Sequence, residues 1–293
     1  MSSEKNTIRE TLLKLDIISK DNIEIFSNCT RDNKSLDVYR DKVSKVIFID
    51  DYYTGREEYT DGKYRQRSGS PNGNLENIND SERRFNKYRQ FIVSKSIIDF
   101  GCGTGSFLKL INPVAKSIAG IELQKDLVES LNADGIACFS SLCEAAGEQD
   151  SAFMFHCLEH LPDPVKALKE IYKKLRHDGL GKIIIEVPHA RDFLIDKLSL
   201  QAFIRFTLWS QHLILHTRES LTKTLIEAGY KNIQVEGIQR YSIANHLHWL
   251  STGQPGGHKE ILSTFETINL MNAYAEALSR IDATDTLVAV AST

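Results

Sequence analysis

At 293 residues, with 41% hydrophobic, 9% aromatic and 26% charged residues, the chain is long enough for one large domain or two ordinary ones and shows no bulk signature of disorder. A formal charge of -3 and a pI near 6.3 argue against a protein whose main partner is nucleic acid. Cys29, Cys102, Cys138, Cys143 and Cys157 form no CxxC pair, which disfavours a zinc ribbon and fits a reducing compartment better than a disulfide framework.

The first twenty residues mix charged and apolar positions, and no apolar run of about 18 residues occurs anywhere. Neither a signal peptide nor a membrane span is expected, so the expected location is cytoplasmic. Residues 1–45 read as short, polar, irregular elements with one helix near Ile8–Ile18, and Val46–Ile49 reads as a strand. The following stretch, DYYTGREEYTDGKYRQRSGSPNGNLENIND, is rich in turn-forming residues and reads as a long structured loop. A boundary is therefore expected near residue 80, with an N-terminal segment and lid over 1–80 and a regular α/β unit over 81–293.

Within that unit, strands and helices alternate as in a parallel sheet. Ser81–Lys95 reads as a helix and Ser96–Phe100 as a buried strand running into GCGTG. A helix at Ser106–Ile111, a strand at Ser117–Leu123, a helix at Lys125–Leu131 and strands at Gly135–Phe139 and Ser151–His156 follow. The next helix has a cap at Asp163, Pro164 in its first turn and an apolar stripe of Val165, Leu168, Ile171, Tyr172 and Leu175, with Gly179 beyond its end. A strand at Lys182–Val187 ends at Pro188. The insert at 189–216 is too apolar for a solvated loop and reads as one or two covering helices. Thr217 then caps a helix closed by Gly229. A strand at Asn232–Ile238, a long helix near Lys259–Ile281 and a strand at Thr286–Ala291 complete the chain.

The sharpest feature is IIDFGCGTGSFL, which sets Asp99, Gly101, Gly103 and Gly105 at a strand-to-helix turn. Glycines let the backbone turn sharply and approach a ligand with no Cβ in the way, and the helix start turns its unpaired N–H groups to the same spot. Seventeen residues after Gly105, the next strand ends in Glu122, a carboxylate suited to the two hydroxyls of a ribose. The dinucleotide fingerprint would need a small third residue where Ser106 stands, and Asp99 would repel a pyrophosphate. The pattern points instead to an adenosine with a positively charged, amino-bearing tail.

These residues, with FHCLEHLPDP after the fourth strand, resemble the class I S-adenosylmethionine-dependent methyltransferases over roughly residues 81–293. The resemblance implies a Rossmann-like, doubly wound α/β fold with a mainly parallel seven-stranded sheet and an antiparallel last strand. To this are joined the N-terminal and post-strand-five additions. It implies S-adenosyl-L-methionine as cofactor. Gly101, Gly103 and Gly105 would pass under its methionine and ribose, with Cys102 and Leu123 beside them. Asp99 would lie near the amino group, Glu122 on the ribose hydroxyls, and Ser140 and Ser141 beside the adenine, where the acid often found in the family is lacking. The backbone of His156 would line the cleft. At a finer level, DKVSKVIFIDDYYTGREEYTDGKYR and QRYSIANHLHWLSTGQPGGH resemble a subgroup associated with bacterial surface-polysaccharide biosynthesis.

A hydroxyl acceptor needs a base, and histidine is the usual choice. His212 and His216, four apart, would share a helix face in QHLILH; with His189 after strand five they are the candidate catalytic residues. His156 and His160 flank the end of strand four, and His177 reads as a helix-end surface residue. His246, His248 and His258 fall in the C-terminal segment. A metal site on the His212/His216 pair lacks a carboxylate partner, so no metal is expected. Tyr52, Tyr53, Tyr59, Tyr64 and Arg65 would form a lid or a loop glued to the sheet. Arg83, Arg84, Lys87 and Arg89 read as a solvated helix face or a diphosphate contact, and GQPGG as a turn or a phosphate loop. The expected partner is a small or carrier-linked acceptor, most plausibly a sugar hydroxyl. A nicotinamide oxidoreductase is disfavoured by Asp99 and Ser106, a nucleic-acid methyltransferase by the charge and the absence of a base-holding box. A binding module without turnover is the non-enzymatic alternative.

Overall fold

The structure, a computed structural model, describes residues 7–50, 73–257 and 261–293. The lid residues Tyr52, Tyr53, Tyr59, Tyr64 and Arg65, and His258, lie outside them. Helix α1 (Ile8–Lys14) starts from Thr7, whose side chain and that of Glu10 form a reciprocal cap. It stops short of the expected Ile18 because Asp16 takes a φ of 51°, which turns Ile17 and Ile18 back onto Ile8 and Leu12. The following segment is more regular than its polarity implied. Strands β1 (Ile23–Ser27), β2 (Val38–Asp41) and β3 (Ile47–Phe48) make an antiparallel sheet.

Helix α2 (Gly73–Tyr88) starts well before the expected Ser81 and ends before Lys95. Its register puts Ser81, Phe85 and Tyr88 on one inward face, a periodicity masked by the surrounding Asn and Asp residues. Then come β4 (Ser96–Phe100), α3 (Ser106–Ile111), β5 (Ser117–Ile121), α4 (Lys125–Ala133), β6 (Cys138–Phe139), β7 (Ser151–Phe155), α5 (Pro164–Tyr172) and β8 (Lys182–Pro188). Asp163 caps α5 through a 2.9 Å bond from the Lys166 N–H, as its sequence implied.

The insert is not purely helical. It holds a π-turn at Phe193–Lys197 and helix α6 (Gln201–Thr207). Its last part, β9 (Ile214–Leu215), pairs with β3 and completes the N-terminal sheet in the order β1-β2-β3-β9. His212 and His216 therefore do not share a helix face. Leu213, Ile214 and Leu215 are all buried, and that unbroken apolar run favours a short core strand over an amphipathic helix.

Helix α7 (Arg218–Glu227) starts at the Thr217 cap. It is followed by β10 (Lys231–Ile238), α8 (Ile243–Thr252), α9 (Ile268–Arg280) and β11 (Thr286–Ser292). The expected long helix near 259–281 is shorter because Thr267 caps a fresh start, accepting from the Leu270 N–H. Gly253 ends α8 in a left-handed conformation, so GQPGG opens as a helix-closing turn.

The large sheet runs β10-β11-β8-β7-β4-β5-β6, with β11 antiparallel to both neighbours and the others parallel. This is the doubly wound, Rossmann-like sheet with an antiparallel last strand that the resemblance implied. Helices cover both faces, so strand residues alternate between two cores. Ile98, Met154 and Ile185 enter one, and Ile97, Phe153 and Ile184 the other. Each such fully buried side chain contributes about 1.5–3 kcal/mol, which makes the sheet a rigid base for the loops at its carboxyl ends.

Candidate active site

The chain leaves β4 for β5 and β6 on one side and returns through β7 on the other, so the sheet order reverses at β4. Open α/β sheets bind ligands at that point, beyond the carboxyl ends of the strands. Here it opens a cleft of about 810 Å³, within the roughly 300–1,000 Å³ of small-molecule sites.

Asp99, Gly101, Cys102, Gly103, Glu122, Leu123, Ser140, Ser141 and His156 all line this cleft. Gly105 does not. It sits at the start of α3 with a φ of 70°, packed against Leu131. Gly101 has a φ of 78°, and a Cβ there would lie 2.7 Å from the Cys157 sulfur; glycine is the residue this close approach permits. The Gly103 N–H donates to Glu122 Oε2 at 2.9 Å, while Leu123 and Gln124 N–H groups donate to Oε1 at 2.8 and 3.0 Å. The glycine loop and the next strand end thus hold one carboxylate at the cleft wall.

Asp99 is buried, and burial, reinforced by the Glu122 charge and opposed by Arg84, raises its pKa to about 7. A cation beside it would restore the charged form. A cradle that excludes side chains at Gly101, a fixed carboxylate at Glu122 and a buried acid seeking a positive charge fit a nucleoside with a cationic amino-acid tail.

The far wall is built differently. His156, with a φ of 49°, accepts a 3.0 Å hydrogen bond at Nε2 from Arg240 Nη1, and Arg240 also pairs with Asp80. Burial and the Arg240 charge hold His156 well below the usual histidine range, so it stays neutral. His160 also lines the cleft; its Nδ1–H donates to the Gln211 carbonyl at 2.8 Å. His212 lies behind it, with ring centroids 5.0 Å apart, and Trp209 meets both rings edge-on. Between them Glu159 is fully buried, with neither carboxylate oxygen hydrogen-bonded, and burial raises its pKa to about 8.

His189 and His216 do not line the cleft. His189 is buried at the end of β8 with Nδ1 on the Thr284 carbonyl, and His216 is buried with Nδ1 on the Ser220 hydroxyl. Burial lowers both to about 4. His246 is held by Tyr274, and His177 is exposed.

Arg83 and Arg84 are not a solvated face. Arg83 Nη1 and Nη2 donate to the two oxygens of the buried Glu186 at 3.0 and 2.9 Å, Arg84 Nε to Oε2 at 2.8 Å, and Tyr88 O–H to Oε1 at 3.2 Å. Burial pushes Glu186 up, but both arginines outweigh it and hold its pKa at about 2. Lys87 instead meets Glu236. Glu159, Arg240 and Glu186 carried no chemical signal in the sequence: Glu186 reads as part of an apolar strand, and Glu159 as a letter in HCLEH.

Residues 74–235 match a family model described as a methyltransferase domain. The chain is 22% identical over 175 residues, 55% of its length and 68% of the relative's, to a ubiquinone biosynthesis O-methyltransferase from Psychrobacter arcticus. Two solved structures share the fold. A SAM-dependent methyltransferase from Archaeoglobus fulgidus is 17% identical with a TM-score of 0.51, covering 80% of this chain and 97% of its own. Magnesium protoporphyrin IX methyltransferase from Synechocystis PCC 6803, with bound SAH, is 11% identical with a TM-score of 0.51, covering 81% and 97%.

Proposed function

The chain belongs to the methyltransferase-domain family and takes S-adenosylmethionine as its cofactor; from that premise we propose that it methylates a hydroxyl oxygen of a small or carrier-linked acceptor, a sugar in a cytoplasmic step of surface-glycan synthesis. The cofactor, when bound, supplies a methyl group on an activated sulfonium. Asp99 holds its amino group and Glu122 its ribose hydroxyls. Gly101, Cys102, Gly103 and Leu123 line its length, with Gly105 fixing the turn. Ser140 and Ser141 flank the adenine, and the His156 backbone closes the methyl end. No helix among the described residues is long and apolar enough to cross a membrane.

The observation that carries the hydroxyl acceptor is the His160 corner. Its Nδ1–H is committed to the Gln211 carbonyl, which leaves the lone pair on Nε2 and fixes the ring in one tautomer. At that corner the acceptor O–H gives up its proton to the His160 ring. Asp99 and Glu122 would hold the cofactor so that its activated methyl is supplied to that oxygen. Alignment of the two reactants carries most of the rate, an effect that reaches roughly 7–11 kcal/mol in favourable cases. The relative from Psychrobacter arcticus is likewise named for transfer to oxygen. The sugar reading rests on the segments 41–65 and 239–258 that resemble the polysaccharide subgroup.

Incubation with methyl-labelled cofactor and a panel of nucleotide-sugars and glycan fragments tests this reading, with label expected in an ether-linked product. Label found only on nitrogen, or only in non-sugar phenols, overturns the acceptor assignment. His160→Ala should lower kcat while S-adenosylhomocysteine affinity stays unchanged.

A further inference from the structure

Behind the cleft wall, Glu159, His160 and His212 each offer one ligand atom, and these atoms lie within 4.8 Å of one another. Metal–ligand bonds of about 2.0–2.2 Å would bring such atoms to roughly 3–3.5 Å apart, so side-chain rotation closes the set. Three further observations separate this group from an accidental cluster. Glu159 is completely buried, yet neither of its oxygens has a hydrogen-bond partner; His156 Nδ1 is 3.5 Å from Oε1. A completely buried carboxyl group with neither oxygen hydrogen-bonded is uncommon and calls for a partner. His212 Nδ1 is likewise buried with no hydrogen-bond partner. The ring of His160 is oriented by its Nδ1–H bond to the Gln211 carbonyl, the kind of support that metal-binding histidines have.

The backbone also holds the two halves of the cluster together. The Leu213 N–H donates to the Glu159 carbonyl at 2.7 Å, so the insert carrying His212 is tied to the turn carrying Glu159 and His160. We propose that Glu159, His160 and His212 bind one divalent transition-metal cation of the zinc type at the acceptor end of the cleft. Two imidazoles and one carboxylate suit such an ion better than Mg²⁺, which prefers oxygen donors and water. Three protein ligands leave at least one coordination position open, and the presence of His160 in the cleft lining directs it at the acceptor. The cation's charge lowers the pKa of a hydroxyl held there, and the proton leaves to solvent. His160 then acts as ligand in place of base, a role the sequence reading, which expected no metal, did not give it. The acceptor role rests on the methyltransferase reading, whereas cation binding does not.

The test is Co²⁺ uptake by the full-length protein after chelator treatment and dialysis, read by visible d–d absorption and by elemental analysis. One Co²⁺ per chain is expected, displaced by Zn²⁺ and not by Mg²⁺. His212→Ala and Glu159→Gln should each weaken binding by at least about tenfold, while His177→Ala, an exposed histidine elsewhere, leaves it unchanged. Glu159→Gln keeps the shape of the side chain, and unchanged S-adenosylhomocysteine affinity by calorimetry shows that each variant is folded. Wild-type uptake no greater than that of the two site variants overturns the proposal. Loss of the same size in His177→Ala does so too. Cofactor affinity without Co²⁺ uptake removes the metal alone, whereas absence of cofactor affinity removes the methyltransferase reading.

Discussion

Two buried glutamates stand close to His156, Glu186 through its backbone carbonyl and Glu159 through its side chain, and the surroundings of their side chains are opposites. Under helix α2, Glu186 receives four hydrogen bonds from Arg83, Arg84 and Tyr88 and is held charged, with a pKa of about 2. At the end of β7, Glu159 is equally inaccessible but receives none, and burial raises its pKa to about 8. A satisfied buried charge ties elements together: Glu186 joins α2 to β8. Glu159, neutral and without a hydrogen-bond partner, ties nothing together, and its place beside two imidazoles is what the proposed cation site accounts for.

Breaking the cofactor side should have the largest effect. On the proposed assignment, Glu122→Ala removes the ribose partner and Asp99→Ala the partner of the amino group. At about 1.5–3 kcal/mol per charge-assisted hydrogen bond, S-adenosylhomocysteine affinity should fall by about 100-fold, measured by calorimetry; wild-type affinity in either variant would remove that residue from the site. Next, Glu186→Ala leaves two guanidinium groups without their partner. It should cost about 3–5 kcal/mol, lowering Tm by about 6–20 °C. Glu159→Gln loses no hydrogen bond and should change stability by less than about 1 kcal/mol. Equal losses in the two variants would erase the contrast between the carboxylates.

Acid sharpens the same comparison. The folded pKa of Glu186 lies below its ordinary value of 4.5, so its contribution is complete above that value. It is lost as pH falls from about 4.5 through about 2, a steep loss in an acid titration of Tm that Glu186→Gln should flatten. Asp99 titrates at about 7, and the cofactor's cation favours its charged form. Affinity should therefore fall by up to about tenfold from pH 8 to pH 6, with Asp99→Asn showing a weaker and flatter profile. The smallest effect belongs to His189→Gln and His216→Gln. Both side chains are enclosed away from the cleft, so kcat should stay within about twofold, with any loss appearing in Tm.

The parallel strands and the glycine turn were legible because each is set by local chemistry. SIIDF and KIIIEV are apolar runs that only a covered sheet accommodates, and GCGTG demands backbone angles that other residues resist. Thr217 and Asp163 open helices by bonds to their immediate neighbours, whereas the helix at Ile243–Thr252 that Gly253 closes was not read. What stayed hidden depends on residues far apart in the chain. Nothing in the spacing of Arg83 and Arg84 shows that Glu186, about a hundred residues later, faces them. QHLILH has an i, i+4 histidine pair, yet it is extended because Ile47 and Phe48 wait across the ladder. His160 and His212 were each singled out, but their meeting was not, because it arises only when the insert folds back to the turn after β7.

That ladder between Ile47–Phe48 and Ile214–Leu215 has a bearing on how the protein tolerates damage. A proteolytic nick that released the first fifty residues would leave an oily, unpaired strand rim next to the reacting centre. Such a rim attracts other chains, so the survivor would clump before it merely slowed down.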